Sequence, residues 1–152
     1  AVIIDVRGNG GDNIHNHLMD ALLRRPYAYS TSRFFGEKQV HAPVNVWEKP
    51  TVVLINEHSF SDAEIFPALV KDMKLATVIG MPTSGSVIGT THKTFIDGSS
   101  MRMPRSGWYR LDGRNMEGNG VQPDIEAPLL PSQIIEDDDV QLKKAVDELL
   151  KN

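Results

Sequence analysis

The stretch Thr51-Val-Val-Leu-Ile-Asn-Glu-His-Ser-Phe-Ser-Asp-Ala-Glu-Ile-Phe-Pro-Ala-Leu-Val70 decides the fold. Thr51 to Asn56 is short, apolar and β-branched, the composition of a buried strand. A short turn leads to Ser61. A helix is expected from about Asp62 to Met73, with Ile65, Phe66, Leu69 and Val70 as its apolar stripe. Pro67 sits near the first turns of that helix, where a missing N–H costs least.

The flanking segments repeat this alternation. Val2 to Val6 reads as another buried strand, followed by a tight turn at Gly8-Asn9-Gly10-Gly11. Asp12 or Asn13 can then cap a helix reaching about Arg25, with Ile14, Leu18, Ala21 and Leu22 on one face. Pro26 stops it, and Arg24 and Arg25 read as solvated cations at its C-terminus. Ala76 to Ile79 is a third strand, ending at Gly80. The order strand–helix–strand–helix–strand implies a parallel α/β core with right-handed crossovers.

Between these lie less regular stretches. Tyr27 to Pro50 suggests irregular structure with one or two short strands. Val87 to Ile96 and Met101 to Pro104 suggest strands about a turn at Asp97-Gly98, and a glycine-rich loop runs from Gly107 to Pro123. A last helix is expected from about Asp138 to Leu150, with Leu142, Val146, Leu149 and Leu150 inward and Asp137 to Asp139 favouring its N-terminus.

Composition sets outer bounds. A chain of 152 residues with 40% hydrophobic and 24% charged residues suits a single globular domain, 1–152. The net charge of -4, with no basic block, argues against nucleic acid as a partner. The absence of cysteine removes disulfides, thiolate catalysis and Cys-based zinc sites. No apolar run approaches the roughly 20 residues of a membrane span, and no signal peptide is visible. The chain opens directly in a strand pattern, so a fragment of a larger multidomain protein is expected.

Three places could carry chemistry. Ser61 falls where a buried strand has ended and a helix begins, beside unpaired backbone N–H groups and the positive end of a helix dipole. Strand–turn–helix nucleophiles work from such positions. The same residues also spell a plain helix cap, with Ser61 and Glu64 forming a capping box. Asp5-Val-Arg-Gly-Asn-Gly-Gly11 allows close backbone approach to a ligand, or is simply a strand-to-helix turn. It matches neither the dinucleotide fingerprint nor the P-loop. Glu117, in Met116-Glu-Gly-Asn-Gly-Val-Gln-Pro-Asp124, is by itself one surface carboxylate among many.

Taken together, Ile4 to Gly11, Ile55 to Phe66, Ile79 to Gly89 and Glu117 to Asp124 resemble, in order, the landmarks of the tricorn and C-terminal-processing peptidases. The resemblance covers roughly Ala1 to Pro128. It implies a ClpP/crotonase-like α/β domain with a mostly parallel sheet and flanking helices, the nucleophile-bearing catalytic half of a serine peptidase. It also implies Ser61 as nucleophile, with an oxyanion hole from the N–H of Asp62 and of Gly10 or Gly11. C-terminal-processing enzymes pair the serine with a lysine in Gly-x-x-Thr-x-Gly-Lys. Here that stretch is Gly80-Met-Pro-Thr-Ser-Gly-Ser86, with Ser86 in the lysine position, and Lys93 reads as a surface lysine. Tricorn-type enzymes use a histidine base that a glutamate orients, and Glu117 fits the glutamate.

In tricorn proteins that base comes from an earlier segment, before a PDZ-like domain, so the resemblance implies that it lies upstream of this sequence. The five histidines are His15, His17, His41, His58 and His92. His58, in the turn before Ser61, is the local alternative for a stand-alone hydrolase. His92 reads as a packing or surface residue. His15 and His17, two apart on a helix, do not share a face, so a zinc pair is not expected. The expectations are therefore a peptide or protein substrate, no metal and no cofactor, and partners in the remaining domains of the parent chain. A homo-oligomeric parent and a cytoplasmic location complete them. A non-catalytic peptide-binding or assembly domain of the same fold is the other alternative.

Overall fold

The computed structural model describes residues 1–34, 39–136 and 138–151, with side chains for all of these but 39–41. In chain order the elements are β1 (Val2–Asp5), α1 (His15–Leu22), β2 (Ala28–Thr31), β3 (Gln39–Ala42), β4 (Thr51–Ile55), α2 (Asp62–Asp72), β5 (Thr77–Gly80), β6 (Gly89–Thr94), β7 (Ser100–Ser106), β8 (Ile125–Glu126), α3 (Pro131–Ile135) and α4 (Val140–Leu149). β1, β4, β5 and β8 form one parallel sheet in that order, with Val2 opposite Thr51, Val53 opposite Val78 and Ile79 opposite Ile125. The pairs β2–β3 and β6–β7 are antiparallel and separate from it.

Every residue of β4 is buried because the sheet is covered on both faces. Successive side chains point to opposite faces. Val53, Ile55 and Val78 pack with Met19 and Leu22 of α1 and with Phe66 and Val70 of α2. Val52, Leu54 and Ile79 pack on the other face with Ala127, Ala145 and Leu149. Burying a side chain such as Phe66 contributes about 1.5–3 kcal/mol.

Several expectations change. β1 is only half-buried, because it pairs with β4 alone among the described residues and forms the sheet's edge. β8 and the short α3 were not expected; two strand residues and five helical ones leave too little periodicity to detect. Pro67 is the sixth residue of α2, past its first turn.

The N-cap of α1 is Ile14, not Asp12 or Asn13, and its side chain makes no cap hydrogen bond. The Asp62 carboxylate caps the helix from a distance, accepting from the N–H of Ile14 (2.9 Å) and of His15 (3.0 Å). This turns the buried face to His15, Met19 and Leu22, leaves Leu18 half-buried, and leaves Ile14 and Ala21 exposed.

The face of α4 also differs. Gln141 and Ala145 are buried and Leu149 is half-buried, whereas Leu142, Val146 and Leu150 are exposed. Gln141 is held at both ends of its amide, donating to Ala127 O (2.6 Å) and accepting from Arg7 Nη1 (2.9 Å). A polar group so bonded is buried at little cost, and Ala145 lets the helix approach the sheet closely. Asp139 is the N-cap, accepting from Leu142 N–H at 2.9 Å. Asp137 lies outside the described residues. No helix among the described residues is long and apolar enough to cross a membrane.

Candidate active site

The parallel strands β1 and β4 end side by side, and the turns that follow them meet. Phe60 N–H donates to Asn9 O at 2.9 Å, and Gly8 N–H donates to Asn56 Oδ1 at 2.9 Å. Ser59, fully buried, donates its hydroxyl to Val6 O (2.8 Å). The glycine turn is thereby fastened to the approach to Ser61.

Ser61 begins α2 with φ 53° and ψ -115°, in the left-handed half of backbone space that non-glycine residues rarely adopt. Its side chain makes no capping hydrogen bond. In the expected capping box, Ser61 N–H donates to Glu64 Oε1 at 3.1 Å. The Ser61 hydroxyl is therefore not consumed in capping the helix. The Asp62 N–H has no acceptor among the described residues, as befits the first turn of a helix.

Gly11 lies directly against this turn. A Cβ built on it would sit 2.6 Å from Ser61 Cβ, 2.9 Å from Phe60 O and 3.1 Å from Asp62 N, so no side chain fits. Its φ of +93° also favours glycine. The Gly11 N–H donates to Asn9 Oδ1 (2.8 Å), whereas the Gly10 N–H has no acceptor among the described residues.

Glu64 is fully buried and accepts five hydrogen bonds: from Ser61 N–H (3.1 Å), Thr83 Oγ1 (2.5 Å), Ser84 Oγ (2.9 Å), Gly85 N–H (2.6 Å) and Ser86 N–H (2.8 Å). This satisfies the buried carboxylate and clasps the 83–86 turn to the start of α2. The Ser86–Val87 peptide group then bridges two of the expected site residues. Its carbonyl accepts from Ser61 N–H (3.0 Å) and its N–H donates to Glu117 Oε2 (2.6 Å). Gly118 N–H reinforces the contact by donating to Gly85 O (2.7 Å). Ser61, Asp62, Gly11 and Glu117 are thus brought into one neighbourhood, although they come from three separate loops.

The histidines divide sharply. His15 is buried and its Nδ1–H donates to Asp62 Oδ1. His17, His58 and His92 are exposed, and the His41 side chain lies outside the described residues. Lys93 is exposed with its Nζ 5.8 Å from the Phe95 ring centre. Among the described residues no cluster of three or more His, Asp or Glu side chains could hold a metal ion. The sequence gives no sign of the His15–Asp62 pair, because its partners are 47 positions apart. Nor does it show the Glu64 clasp beyond the first three residues of α2.

The chain is 32% identical over 152 residues to the tricorn protease of Thermoplasma acidophilum, covering 99% of this chain and 14% of that protein. It is 31% identical over 147 residues to tricorn protease homolog 1 of Streptomyces coelicolor, covering 95% of this chain and 14% of that one. The chain therefore spans about 14% of the length of these relatives. The crystal structure of the tricorn protease superposes with a TM-score of 0.84 at 30% identity, over 98% of this chain and 15% of that one. The photosystem II D1 C-terminal processing protease shares the fold, with a TM-score of 0.60 at 23% identity over 91% of this chain and 38% of that one. Residues 1–127 match the profile of peptidase family S41, and with these relatives spanning nearly its whole length the chain belongs to that family.

Proposed function

We propose that the chain is the nucleophile-bearing catalytic part of a larger serine peptidase and that Ser61 attacks the peptide carbonyl. The observation that carries this reading is the contact between the Ser61 turn and the glycine turn, where a Gly11 side chain would collide with Ser61 Cβ at 2.6 Å. Two backbone segments that each keep one N–H without an acceptor among the described residues, Gly10 in one and Asp62 in the other, have reason to meet so closely if an anion forms between them.

In this mechanism a base takes the Ser61 proton as the oxygen adds to the carbonyl. The negative charge then passes to the carbonyl oxygen, where the Asp62 N–H and a glycine-turn N–H receive it. Gly10 is favoured as the second donor because its N–H has no internal acceptor, whereas that of Gly11 is bonded to Asn9. Collapse of the tetrahedral intermediate expels the amine, which takes the proton from the base, and water then releases the acyl group. Glu117 has one oxygen anchored on Val87 N–H, and Oε1 accepts no hydrogen bond from the described residues. That second oxygen is suited to orient the base. The base itself is assigned to a histidine of upstream parent sequence, since His58 is exposed and only its backbone N–H is bonded, to Asn56 Oδ1 at 3.1 Å. The same reading assigns the parent further domains, among them a PDZ-like one, an oligomeric assembly, protein or peptide substrates and a cytoplasmic location.

A serine-directed organophosphonate tests the scheme. Covalent labelling is expected in the full-length parent, at Ser61, and is expected to vanish in Ser61→Ala and in the isolated chain. Labelling of the isolated chain would transfer the base to His58. No labelling in either form would replace the peptidase with a peptide-binding domain.

A further inference from the structure

We propose that His15 is a positioning residue for the reaction: by clamping the Asp62 carboxylate it fixes the start of α1, and with it the glycine turn, against the nucleophile helix, so that the glycine-turn N–H stays in register with that of Asp62. This rests on the peptidase reading above. His15 is only 4% exposed, yet nothing in the reaction as described uses it. Three structural units meet at this one side chain.

The first is the nucleophile helix. The Asp62 carboxylate takes the N–H of Ile14 and of His15 on Oδ2, at 2.9 and 3.0 Å, and the His15 ring Nδ1–H on Oδ1. Both oxygens are thus occupied by the beginning of α1, while the backbone N–H of the same residue is the proposed oxyanion donor. The Asp62 N–H itself is set by the helix, because the Ser61 carbonyl of the same peptide group accepts from Glu64 N–H (2.8 Å) and Ile65 N–H (3.0 Å), so what the clamp controls is where α1 lies relative to it. The second unit is the glycine turn, which runs directly into α1. The Asp62 clamp therefore sets how far the turn's donor lies from the donor of Asp62. The third is the Glu117 loop. The His15 ring stands edge-on to Trp108, with ring centres 5.2 Å apart and planes at 88°. Trp108 O in turn accepts from Met116 N–H at 2.9 Å, next to Glu117. Loss of the ring donor would leave Asp62 Oδ1 buried without that partner and would loosen the clamp.

Two polar substitutions separate positioning from simple packing. Asparagine carries its amide nitrogen at about the position of the histidine Nδ1, whereas glutamine carries it near Nε2. In the full-length parent, with turnover of a chromogenic peptide referred to folded enzyme, His15→Asn is expected to keep kcat within about three-fold. His15→Gln is expected to lower kcat about 10- to 100-fold, short of deleting an oxyanion donor outright, with KM changed less than about two-fold. Equal turnover in the two variants, whether retained or lost, would overturn the proposal, as would a loss confined to KM. A His15→Gln protein too unstable to assay would mark a core residue only and would also overturn it. Turnover that survives Ser61→Ala removes the peptidase reading and this proposal together; turnover that needs Ser61 but ignores His15 removes this proposal alone.

Discussion

Ser61 carries a backbone conformation that its own chemistry does not favour. At φ 53° and ψ -115° a residue with a side chain costs about 1–3 kcal/mol relative to a relaxed conformation. The surrounding bonds hold it there: its N–H lies between Glu64 Oε1 and Ser86 O, and its carbonyl accepts from Glu64 N–H (2.8 Å) and Ile65 N–H (3.0 Å). Glycine would relieve the strain at the cost of a more flexible unfolded chain. Ser61→Gly is therefore expected to raise the free energy of unfolding in urea by about 1 kcal/mol while abolishing phosphonate labelling of the parent. A destabilised variant would show that the turn is unstrained. At this scale the sequence was informative wherever the signal is local. The strand–serine–helix pattern and the glycine turn are contiguous, and Glu117 stood out by its place among ordered landmarks. His15 was unreadable because its importance comes from Asp62 and Trp108, neither of which is near it in sequence.

Among the elements, α4 shows how polar bonding overrides apolar periodicity. Its start is joined to the end of β1 by Arg7, whose Nη2 contacts Asp5 Oδ2 at 2.7 Å and Asp139 Oδ2 at 2.8 Å. The hydrogen bond from Arg7 holds the Asp139 carboxyl below its ordinary range, with the Leu142 N–H helping, against the opposing effect of burial. A carboxyl whose folded value is depressed binds its proton more readily in the unfolded chain, whose value is about 3.9. Its stabilising contribution is fully present above that value and is lost as pH falls through the lower folded one. Chemical unfolding of the isolated chain should therefore show an acid-side loss of stability that is shallower in Asp139→Asn, with the two profiles differing most above about pH 4. Identical slopes would mean that the Arg7 pair is neutral. The element types themselves followed from period and composition. The faces of α1 and α4 did not, because a bonded His15 and a bonded Gln141 occupy positions that hydrophobicity alone assigns to leucine and isoleucine.

On the scale of the whole molecule, the parallel α/β core was legible from the order of its segments. Burial of β4 on both faces likewise matched its unbroken apolar run. The separateness of the β2–β3 and β6–β7 pairs was not legible, since strand propensity says nothing about which sheet a strand joins. One consequence follows from β1 lying at the rim of the parallel sheet. Its inner side bonds β4, and its outer side presents amides and carbonyls that no described residue meets. Such a rim is a template on which a foreign strand can crystallise, including the β1 of a neighbouring molecule. Sedimentation of the isolated chain should accordingly show self-association that grows with concentration. A strictly monomeric chain at high concentration would mean that this seam is shielded by its own twist or charge, and handling the chain would then require no precaution against clumping.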